Sequence, residues 1–435
     1  MLLKISLISC FFLLNLVGIS QLTVSQIGIL PEPVSNNAQC SGHVNGTSYL
    51  YSFGGIDSTK TSQGIHLRSY RYHTGTGNVI QLPDLPDTLG KIAAAASRIG
   101  DTIYITGGYH VFQNGNEVSS NKIHRFNIVS NSFITDGPSI PHATDDHVQV
   151  VWRDSLLILI TGWKNIGNIA NVQIYNPSLN EWSVGTSVPN NHTYKSFGAS
   201  GSIIGDTIYY FGGAKSSASF NIQNAVRKGV INPANPTQID WFFEVIDPAI
   251  VGYRMAATKV GETLHWLGGS AVTYNYDGIA YNGSGGVEPI NRDLYTNSNL
   301  SSWYSITVDE LPMDLRGLAD ATDYVKYLAG GMLPDQKVTD KVYLLQWHSD
   351  FLSSPLPNKS EPLMLYPNPF DNKLNISTES QITEIDIYNI AGQLVWSKPI
   401  GNSKATIETD DFQTGIYLAV VKQTGNITHQ KIVKR

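Results

Sequence analysis

Cysteine is nearly absent from this sequence, since Cys10 and Cys40 are the 2 thiols among 435 residues. So few thiols exclude a disulfide scaffold and a cysteine-rich zinc module. Charged residues make up only 15% of the chain, and the net charge of -6 argues against nucleic acid as the main partner. Glycine, with 39 residues, exceeds its average share, whereas the 20 prolines are ordinary. This composition indicates a folded, turn-rich protein rather than a low-complexity one.

Long apolar runs are also lacking, except at residues 5–17, which follow Lys4 and precede the small residues Gly18 and Ser20. This pattern predicts a secretory signal peptide over residues 1–20, cleaved after Ser20. An uncleaved anchor is the alternative, but the run is shorter than the roughly 20 residues that a bilayer span needs. No transmembrane segment is predicted elsewhere. Once the signal is removed, Cys40 remains, and we expect it to be buried and unpaired.

Short apolar segments that end in glycine recur along most of the chain. The first glycine of each lies at position 54, 107, 162, 212, 268 or 330, a mean spacing near 55 residues. A second glycine follows in every copy except the third, where Trp163 follows Gly162. Two aromatic residues separated by a turn come next, as in Tyr175 and Trp182. Repeats of this period predict a propeller or a solenoid of short strands.

This pattern resembles the kelch repeat, whose apolar run, glycine pair and spaced Tyr and Trp form a four-stranded propeller blade. The resemblance covers residues 21–352 and implies an all-β, six-bladed kelch-type propeller. The segments before the first glycine pair and after the last one together make one more repeat. We therefore predict a blade shared between the two ends, with residues 339–347 as its third strand and residues 26–30 as its outer strand. An open solenoid, the alternative, leaves sheet edges exposed.

The C-terminal part of the chain departs from the repeat. Residues 353–362 are rich in Ser and Pro and predict a linker. Short alternating segments then return in residues 363–435 and predict a small Ig-like β-sandwich. This second domain resembles the type A C-terminal sorting domain of the type IX secretion system, and the resemblance rests on sequence blocks that include Tyr366, Pro367, Asn368, Pro369, Gly392, Gly415, Tyr417, Lys431 and Lys434.

The resemblance to a sorting domain has consequences for the protein's location. It implies a Bacteroidota-like Gram-negative source, passage through the periplasm and contact with the type IX secretion machinery. The protein is then expected to be secreted or attached to the outer-membrane surface. An adhesive Ig-like module is the alternative interpretation of residues 363–435.

Residues at one repeat position converge on the axis of a propeller, so a ligand site is sought there. Kelch repeats often carry Arg fourteen residues before the first glycine, which gives Arg254 and Arg316 in this sequence, with His147 and Gln39 close to the same offset in other copies. The planar guanidinium suits a carboxylate or vicinal sugar hydroxyls. Structural bonds between neighbouring blades are the alternative. The predicted ligand-binding set also includes the nearby polar residues Asp145, Lys91 and Lys195.

Motifs for catalysis are missing. The sequence has no Gly-x-Ser-x-Gly elbow, no His-Glu-x-x-His, no Walker loop and no dinucleotide fingerprint. We therefore predict no cofactor and no metal. Glu310 and Asp247 precede Arg316 and Arg254 by six and seven residues and are the candidates for an acid or base.

Three functional hypotheses remain, and the question of enzymatic activity stays open. The preferred one is a secreted or surface protein that binds a glycan or a protein at one face of the propeller. A sugar-active enzyme, such as a mutarotase or epimerase, is the second. A structural or adhesive surface protein is the third, because a propeller fold alone does not determine function.

Overall fold

The computed structural model describes residues 22–217, 219–348, 363–389, 394–423 and 426–435. The chain divides into two compact units, Met1–Phe351 and Leu352–Arg435. The predicted signal peptide, the predicted linker and Gly392 of the sorting motif lie outside the described residues. The described part contains no α-helix, and its two 3-10 helices are single turns at Ser62–Gly64 and Pro334–Gln336.

Six antiparallel sheets of four principal strands make up the described part of the first unit. Their strands are numbered along the chain. Sheet 6 begins with β1 (Leu22–Ile29). Sheet 1 consists of β2 (Ala38–Val44), β3 (Thr47–Ile56), β4 (Ile65–His73) and β5 (Val79–Leu82). Sheet 2 consists of β6 (Ile92–Ile99), β7 (Thr102–Val111), β9 (Ile123–Asn127) and β10 (Ser132–Ile134), with the short β8 (Glu117–Ser119) beside β7.

The remaining sheets follow the same plan. Sheet 3 consists of β11 (Val148–Trp152), β12 (Leu156–Ile160), β15 (Val172–Asn176) and β16 (Glu181–Gly185), with the small hairpin β13 (Trp163–Lys164) and β14 (Gly167–Asn168). Sheet 4 consists of β17 (Ser200–Ile204), β18 (Thr207–Phe211), β19 (Ala225–Ile231) and β20 (Ile239–Val245). Sheet 5 consists of β21 (Ala256–Val260), β22 (Thr263–Leu267), β23 (Arg292–Asn297) and β24 (Trp303–Thr307). Sheet 6 adds β25 (Ala319–Thr322), β26 (Val325–Ala329) and β29 (Lys341–Trp347), with the hairpin β27 (Met332–Leu333) and β28 (Lys337–Val338).

The core lies between neighbouring sheets. Because a sheet in the middle of such a stack is covered on both faces, its strands are apolar on both sides, as in β12, where every residue after Leu156 is buried. Between sheets 3 and 4, for example, Ile158 and Ile174 pack with Ile208 and Tyr210. Each sheet therefore depends on the next for the burial of its apolar faces.

The six sheets surround a common axis. The innermost strands are β2, β6, β11, β17, β21 and β25. The first five are neighbours in that order, and β25 lies beside β2. The backbone of Leu315 donates to the carbonyl of Arg254 at 3.0 Å and so joins sheet 6 to sheet 5. At the periphery, β1 pairs with β29, and Leu22 lies opposite Trp347. The predicted pairing of the two ends is confirmed, and the arrangement is consistent with a β-propeller.

A ring of hydrogen bonds surrounds the axis at the point where the chain enters the inner strands. One residue per sheet there has a left-handed backbone, and these six residues are Asn36, Ala93, Asp146, Gly198, Arg254 and Asp314. Their amides connect successive sheets. Asp146 donates to Ala93, Gly198 to Asp146 and Arg254 to Gly198, at 2.8–3.0 Å, and Asn36 donates to Asp314 at 3.2 Å. The side-chain oxygen of Asn36 accepts from the amide of Ala93 at 2.8 Å. Side chains from distant repeats are thereby brought together at the axis.

The glycine pairs are required by close contact between sheets. Gly212 has φ +69°, and a Cβ on it would lie 2.1 Å from the carbonyl oxygen of Gly252, in the segment that leads into sheet 5. The third copy differs from the alignment expected from the sequence. Asp145 bridges to Trp163 just as Tyr253 bridges to Ser270, so Thr161 and Gly162 occupy the two glycine positions there. Thr161 adopts φ +51°, and its hydroxyl donates to the carbonyl of Ile169.

The described strands of the second unit form a C-terminal β domain. They are β30 (Met364–Tyr366), β31 (Lys373–Asn389), β32 (Leu394–Glu408), β33 (Gly415–Gln423) and β34 (Asn426–Lys434). The order is β30-β31-β33-β34, with β32 also paired to β31. The strands are longer than the sequence pattern predicts, because β31 continues through a register shift between Ser377 and Ile382. Phe370, Leu374, Ile385 and Val421 contribute to its core.

The contact at Gly212 makes a testable prediction. Gly212→Ala should lower the free energy of unfolding by about 3 kcal/mol, because the new methyl group displaces a neighbouring backbone. Gly205→Ala is the matched control, since Gly205 is also left-handed (φ +57°) but nothing lies within 4 Å of the position that a Cβ would take. That change should cost only about 1 kcal/mol of backbone strain. Urea unfolding of both variants measures the difference, and equal losses would contradict the contact between sheets.

Candidate functional site

A charged cluster blocks the axis at the level of the left-handed residues. The guanidinium of Arg254 lies between two carboxylates, donating to Asp146 at 2.6 and 3.1 Å and to Asp314 at 3.0 Å. All three side chains are almost completely buried. The rings of Tyr253 and Tyr274 lie 5.2 and 5.4 Å from the guanidinium carbon of Arg254. Arg254 therefore holds segments from sheets 3, 5 and 6 together.

Arg316 completes this cluster but not in the position that the sequence offset predicts. Tyr253 and Met313 make equivalent bridges, so Arg254 is equivalent to Asp314, and Arg316 lies two residues further along. Arg316 donates to the carbonyls of Ala94 and His147 at 3.3 and 2.9 Å. Its distance from the carboxylate of Asp146 is 3.4 Å. We call Arg254, Arg316, Asp146 and Asp314 the charged plug, and its formal charges cancel.

His147 and Gln39, also predicted to contact a ligand, bond within the protein. The amide of Gln39 exchanges two hydrogen bonds with the backbone of Ala329, at 2.9 and 3.2 Å. The Nε2 atom of His147 lies 3.0 Å from the hydroxyl of Thr106. Burial, with the nearby Arg316 charge, lowers the pKa of His147 to about 3, so the imidazole is neutral. Both residues line a cavity of this unit, and Asp145 lines a second, smaller one.

Four other predicted residues line neither cavity. Lys91 is buried in an ion pair with Asp87 at 2.7 Å. Lys195 is half-buried. Glu310 accepts from Lys341 at 2.7 Å and from the hydroxyl of Tyr343 at 2.9 Å, and Asp247 is exposed. The structure therefore does not bring the two predicted acid/base carboxylates together with the arginines in a cavity.

The larger cavity, with a volume of about 470 Å³, follows the inner strands along the axis. We call it the axial cavity. It is lined by side chains from all six sheets, among them Gln39, Ser97, Gln149, Ser202, Lys259 and Arg316. The smaller cavity, of about 130 Å³, shares no lining residue with it. Asp146 and Arg254 of the charged plug line the smaller cavity, whereas Arg316 lines the axial one. The plug therefore separates two chemically different spaces.

The smaller cavity, which we call the loop pocket, lies among the loops at the other end of the axis. It is lined by Tyr109, Glu117, Asp145, Asp146, Trp163, Asn165, Phe197, Phe220, Arg254, Asn275 and Tyr281. Its aromatic rings contact one another. The ring centroids of Trp163 and Phe197 are 5.3 Å apart with the rings tilted, whereas Phe220 makes edge-on contacts with Trp163 at 5.4 Å and with Tyr281 at 4.6 Å. Phe197 is buried, but the other three rings are only partly covered. The pocket thus combines apolar ring surface with carboxyl and amide groups.

One carboxyl of the loop pocket has an unusual environment. Asp145 is buried and accepts a hydrogen bond from the hydroxyl of Ser119 at 2.5 Å. Burial, and next the charge of Asp146, raise the pKa of Asp145 well above its ordinary value. The pKa of Glu117 is raised in the same direction, chiefly by desolvation. A neutral carboxyl in the pocket is able to donate a hydrogen bond or a proton.

Several residues of the loop pocket carry no functional signal in the sequence. Phe197 and Phe220 lie outside any motif. The segment 272–286 is a long polar insertion with three tyrosines, but these have different environments. Tyr281 lines the pocket, whereas Tyr274 is fully buried against the charged plug. The sequence features that do mark the pocket are the departure from the glycine pair at Trp163 and the predicted ligand-binding residues Asp145 and Arg254.

Among the described residues, no group of three or more His, Cys, Asp or Glu side chains is arranged to hold a metal ion. Asp146 pairs with Arg254 in the charged plug, and Asp145 accepts a hydrogen bond from Ser119. Cys40 is buried and free, and burial raises the pKa of its thiol, which keeps it protonated.

The predicted sorting residues come together in the second unit. Asn368 donates to the carbonyl of Lys431 at 3.0 Å and accepts from the amide of Val433 at 2.9 Å. Lys434 places its ammonium 5.8 Å from the ring centre of Phe370. Tyr366, Pro367 and Pro369 flank Asn368 in the same segment, and Gly415 begins β33. The hydroxyl of Tyr417 donates to the carbonyl of Gln413 at 2.7 Å. The first and last blocks of the motif thus form one structural element.

The charged plug makes a second prediction. Arg254→Met should lower the free energy of unfolding by about 3–5 kcal/mol at neutral pH, because Asp146 and Asp314 lose their buried counter-charge. The loss should become smaller as the pH falls, because burial raises the pKa of Asp314 and its carboxyl needs no cation once it is protonated. Arg153→Met is the control, since Arg153 pairs with Asp206 at the surface and should change little. Chemical denaturation at several pH values measures both, and a variant as stable as the parent would show that the plug is dispensable.

Comparison with known proteins supports two statements. Residues 364–435 match the family described as "Secretion system C-terminal sorting domain", the sorting domain of the type IX secretion system. This match indicates secretion or attachment to the cell surface. The described part of the chain contains no helix with the length and hydropathy of a membrane span. No curated protein matches the sequence.

The fold is similar to that of a solved structure, titled "Structure of YjhT", a kelch-type propeller. The likeness has a TM-score of 0.56 and covers 72% of this chain and 95% of that one, at 16% sequence identity. At this identity the likeness concerns the fold alone. The chain thus combines a propeller-like β unit with a type IX sorting domain at residues 364–435.

Proposed function

We propose that this chain is a six-bladed kelch propeller, exported by the type IX secretion system, that binds a glycan in the loop pocket. In this proposal residues 1–20 are a signal peptide, 21–352 the propeller, 353–362 a linker and 363–435 the sorting domain. Six four-stranded sheets, each with a left-handed residue before or at the start of its inner strand, support the blade number. Five glycine pairs and one Thr-Gly pair support the kelch assignment.

The observation that carries the glycan proposal is the aromatic lining of the loop pocket. Sugar rings present apolar C–H faces that pack on aromatic side chains, while their hydroxyls need polar partners. Trp163 and Tyr281 provide partly exposed rings, and Asp145, Asn165 and Asn275 provide carboxyl and amide groups. A volume of about 130 Å³ is small for a whole oligosaccharide. We therefore expect one sugar unit to enter the pocket and the rest of the chain to lie on the surrounding loops.

The charge balance of the pocket favours a neutral sugar. Arg254 is the anion-binding group that the repeat pattern predicts, but its guanidinium already contacts Asp146 and Asp314. An acidic group would have to displace one of these carboxylates. Hydroxyl groups have no such competitor, since carboxyl and amide groups of the pocket accept and donate hydrogen bonds to them.

A sugar-active enzyme is the second candidate, and the state of Asp145 favours it. A carboxyl that is protonated near neutral pH can act as a general acid toward a ring oxygen. Burial raises the pKa of Asp145 well above its ordinary value, and Asp145 lines the same pocket as the aromatic residues. Binding and proton transfer would therefore use one site, and Asp145→Asn separates them because the amide preserves shape but has no proton to transfer.

Glycan binding is tested with the purified full chain and its Trp163→Ala variant on a glycan array. The variant should lose at least tenfold in affinity for the glycans that the parent binds, because a ring surface is removed from the pocket. Trp182→Ala is the matched control. Trp182 packs against Tyr175 in the outer part of sheet 3 and does not line the pocket. Thermal melting of both variants checks that they are folded.

Glycan binding at this site is contradicted if Trp163→Ala binds glycans as tightly as the parent and the Trp182→Ala control do. It is also contradicted if the parent binds no glycan. Sugars that bind the parent and change anomer or epimer composition would instead favour the enzyme. In that case Asp145→Asn should retain binding and lose turnover, which NMR of the sugar solution measures directly.

Export is tested by deleting residues 364–435. The truncated protein should accumulate in the periplasm, because it lacks the sorting domain that matches the secretion family. As a reciprocal control, residues 353–435 fused to a periplasmic reporter should carry that reporter out of the cell. Cell fractionation measures both. Normal export of a folded truncated protein would rule out the proposed role of the tail.

A further inference from the structure

The axial cavity is a second polar space, separate from the proposed glycan site. Its volume of about 470 Å³ exceeds that of the loop pocket, and the charged plug lies between the two. None of its described lining residues is Phe, Tyr or Trp. A ligand there has no aromatic surface to stack on, so recognition depends on hydrogen bonds and charge.

The walls of the axial cavity offer many small hydrogen-bonding groups. Four serines line it, from sheets 1, 2 and 4, together with two amides, and these six residues are Gln39, Ser41, Ser97, Gln149, Ser200 and Ser202. Hydroxyl and amide groups of this kind hold a hydrophilic molecule rather than an apolar one. The wall alone does not select the charge of that molecule.

The charged residues of the lining favour a negatively charged molecule. Four cations line the cavity, Arg98, Lys259, Arg316 and Lys326, against the two carboxylates Asp320 and Asp323. Lys326 pairs with Asp320 at 2.9 Å, and Lys259 lies 3.9 Å from Asp323. Neither Arg98 nor Arg316 pairs with a carboxylate of the lining, and the carboxylate that lies 3.4 Å from Arg316, that of Asp146, belongs to the charged plug.

Arg316 lies at the inner end of this cavity. Of the two arginines in the charged plug, it is the one that lies further from a carboxylate. Arg254 takes both oxygens of Asp146 at 2.6 and 3.1 Å, which leaves Arg316 at 3.4 Å from that carboxylate. The other acceptors of Arg316 are the neutral backbone carbonyls of Ala94 and His147. A buried guanidinium with incomplete charge compensation attracts an anion that reaches it.

Arg98 contributes an unsatisfied donor to the same cavity. Its Nη1 atom donates to the carbonyl of Gly100 at 2.7 Å, but its buried Nε atom has no hydrogen-bond partner among the described residues. A buried donor without an acceptor is rare and costly, and a bound ligand or water satisfies it.

We propose that the axial cavity binds a small hydrophilic carboxylate, with Arg316 as its anion-binding residue and Arg98 as a second donor. The hydroxyls of Ser41 and Ser202 on the wall hydrogen-bond the remainder of the molecule. An organic acid and an acidic monosaccharide share this chemistry. The site is independent of the proposed glycan site, because the two cavities have no lining residue in common.

The test titrates the full chain with succinate, D-galacturonate and D-galactose by calorimetry. At least one of the acids should bind at least tenfold more tightly than galactose, which is the neutral counterpart of galacturonate. Preference for succinate identifies an open-chain acid, and preference for galacturonate identifies an acidic sugar. Arg316→Gln and Arg98→Gln should each weaken that binding, Arg316→Gln by at least tenfold. Trp163→Ala should leave it unchanged, which separates this site from the loop pocket.

Arg316→Gln removes bonds to two backbone carbonyls, so a third variant guards against loss of folding. Ser202→Leu fills part of the cavity without touching the charged plug and should also abolish acid binding. The proposal is overturned if neither acid binds at millimolar concentration or if galactose binds as tightly. It is equally overturned if folded Arg98→Gln and Ser202→Leu proteins bind the acid like the parent.

Discussion

A guanidinium fixed between two carboxylates organises the centre of this molecule. Arg254, Asp146 and Asp314 come from three different sheets, and all three have left-handed backbones. Their amides or carbonyls also take part in the bonds that connect successive sheets. Buried ion pairs often add little net stability compared with apolar packing, but an unpaired member is very costly. We interpret the cluster as a device that fixes the relative positions of the sheets, and both cavities take their shape from it.

The architecture is largely predictable from the sequence because its causes are local. Where a left-handed turn lies against a neighbouring backbone, almost no residue except glycine fits. Glycines such as Gly212 and Gly268 therefore recur at the same place in successive sheets. The pairing of the two ends follows from the length of one repeat, and β1 does pair with β29. The sorting domain is recognisable from Tyr366, Asn368 and Lys431 for a similar reason, since its motif describes contacts that the structure contains.

The site is harder to predict because its residues meet through contacts between repeats. Counting back from each glycine assumes hairpins of equal length, but β25 and β26 contain a register shift between Asp320 and Thr322. The count consequently treats Arg254 and Arg316 as equivalent, whereas they line different cavities. Nothing in the sequence shows that Asp146 faces Arg254 across 108 residues. Aromatic residues such as Phe197 and Phe220 carry no motif, so their meeting at the loop pocket is visible only in three dimensions.

The charged plug has a consequence for the passage of small molecules along the axis. Asp146, Arg254 and Asp314 are each no more than 2% exposed, so these packed side chains leave no open channel at their level of the axis. The loop pocket and the axial cavity therefore form separate vestibules, which share no lining residue. They have one ion-pair partner in common, because the carboxylate of Asp146 pairs with Arg254 of one vestibule and with Arg316 of the other.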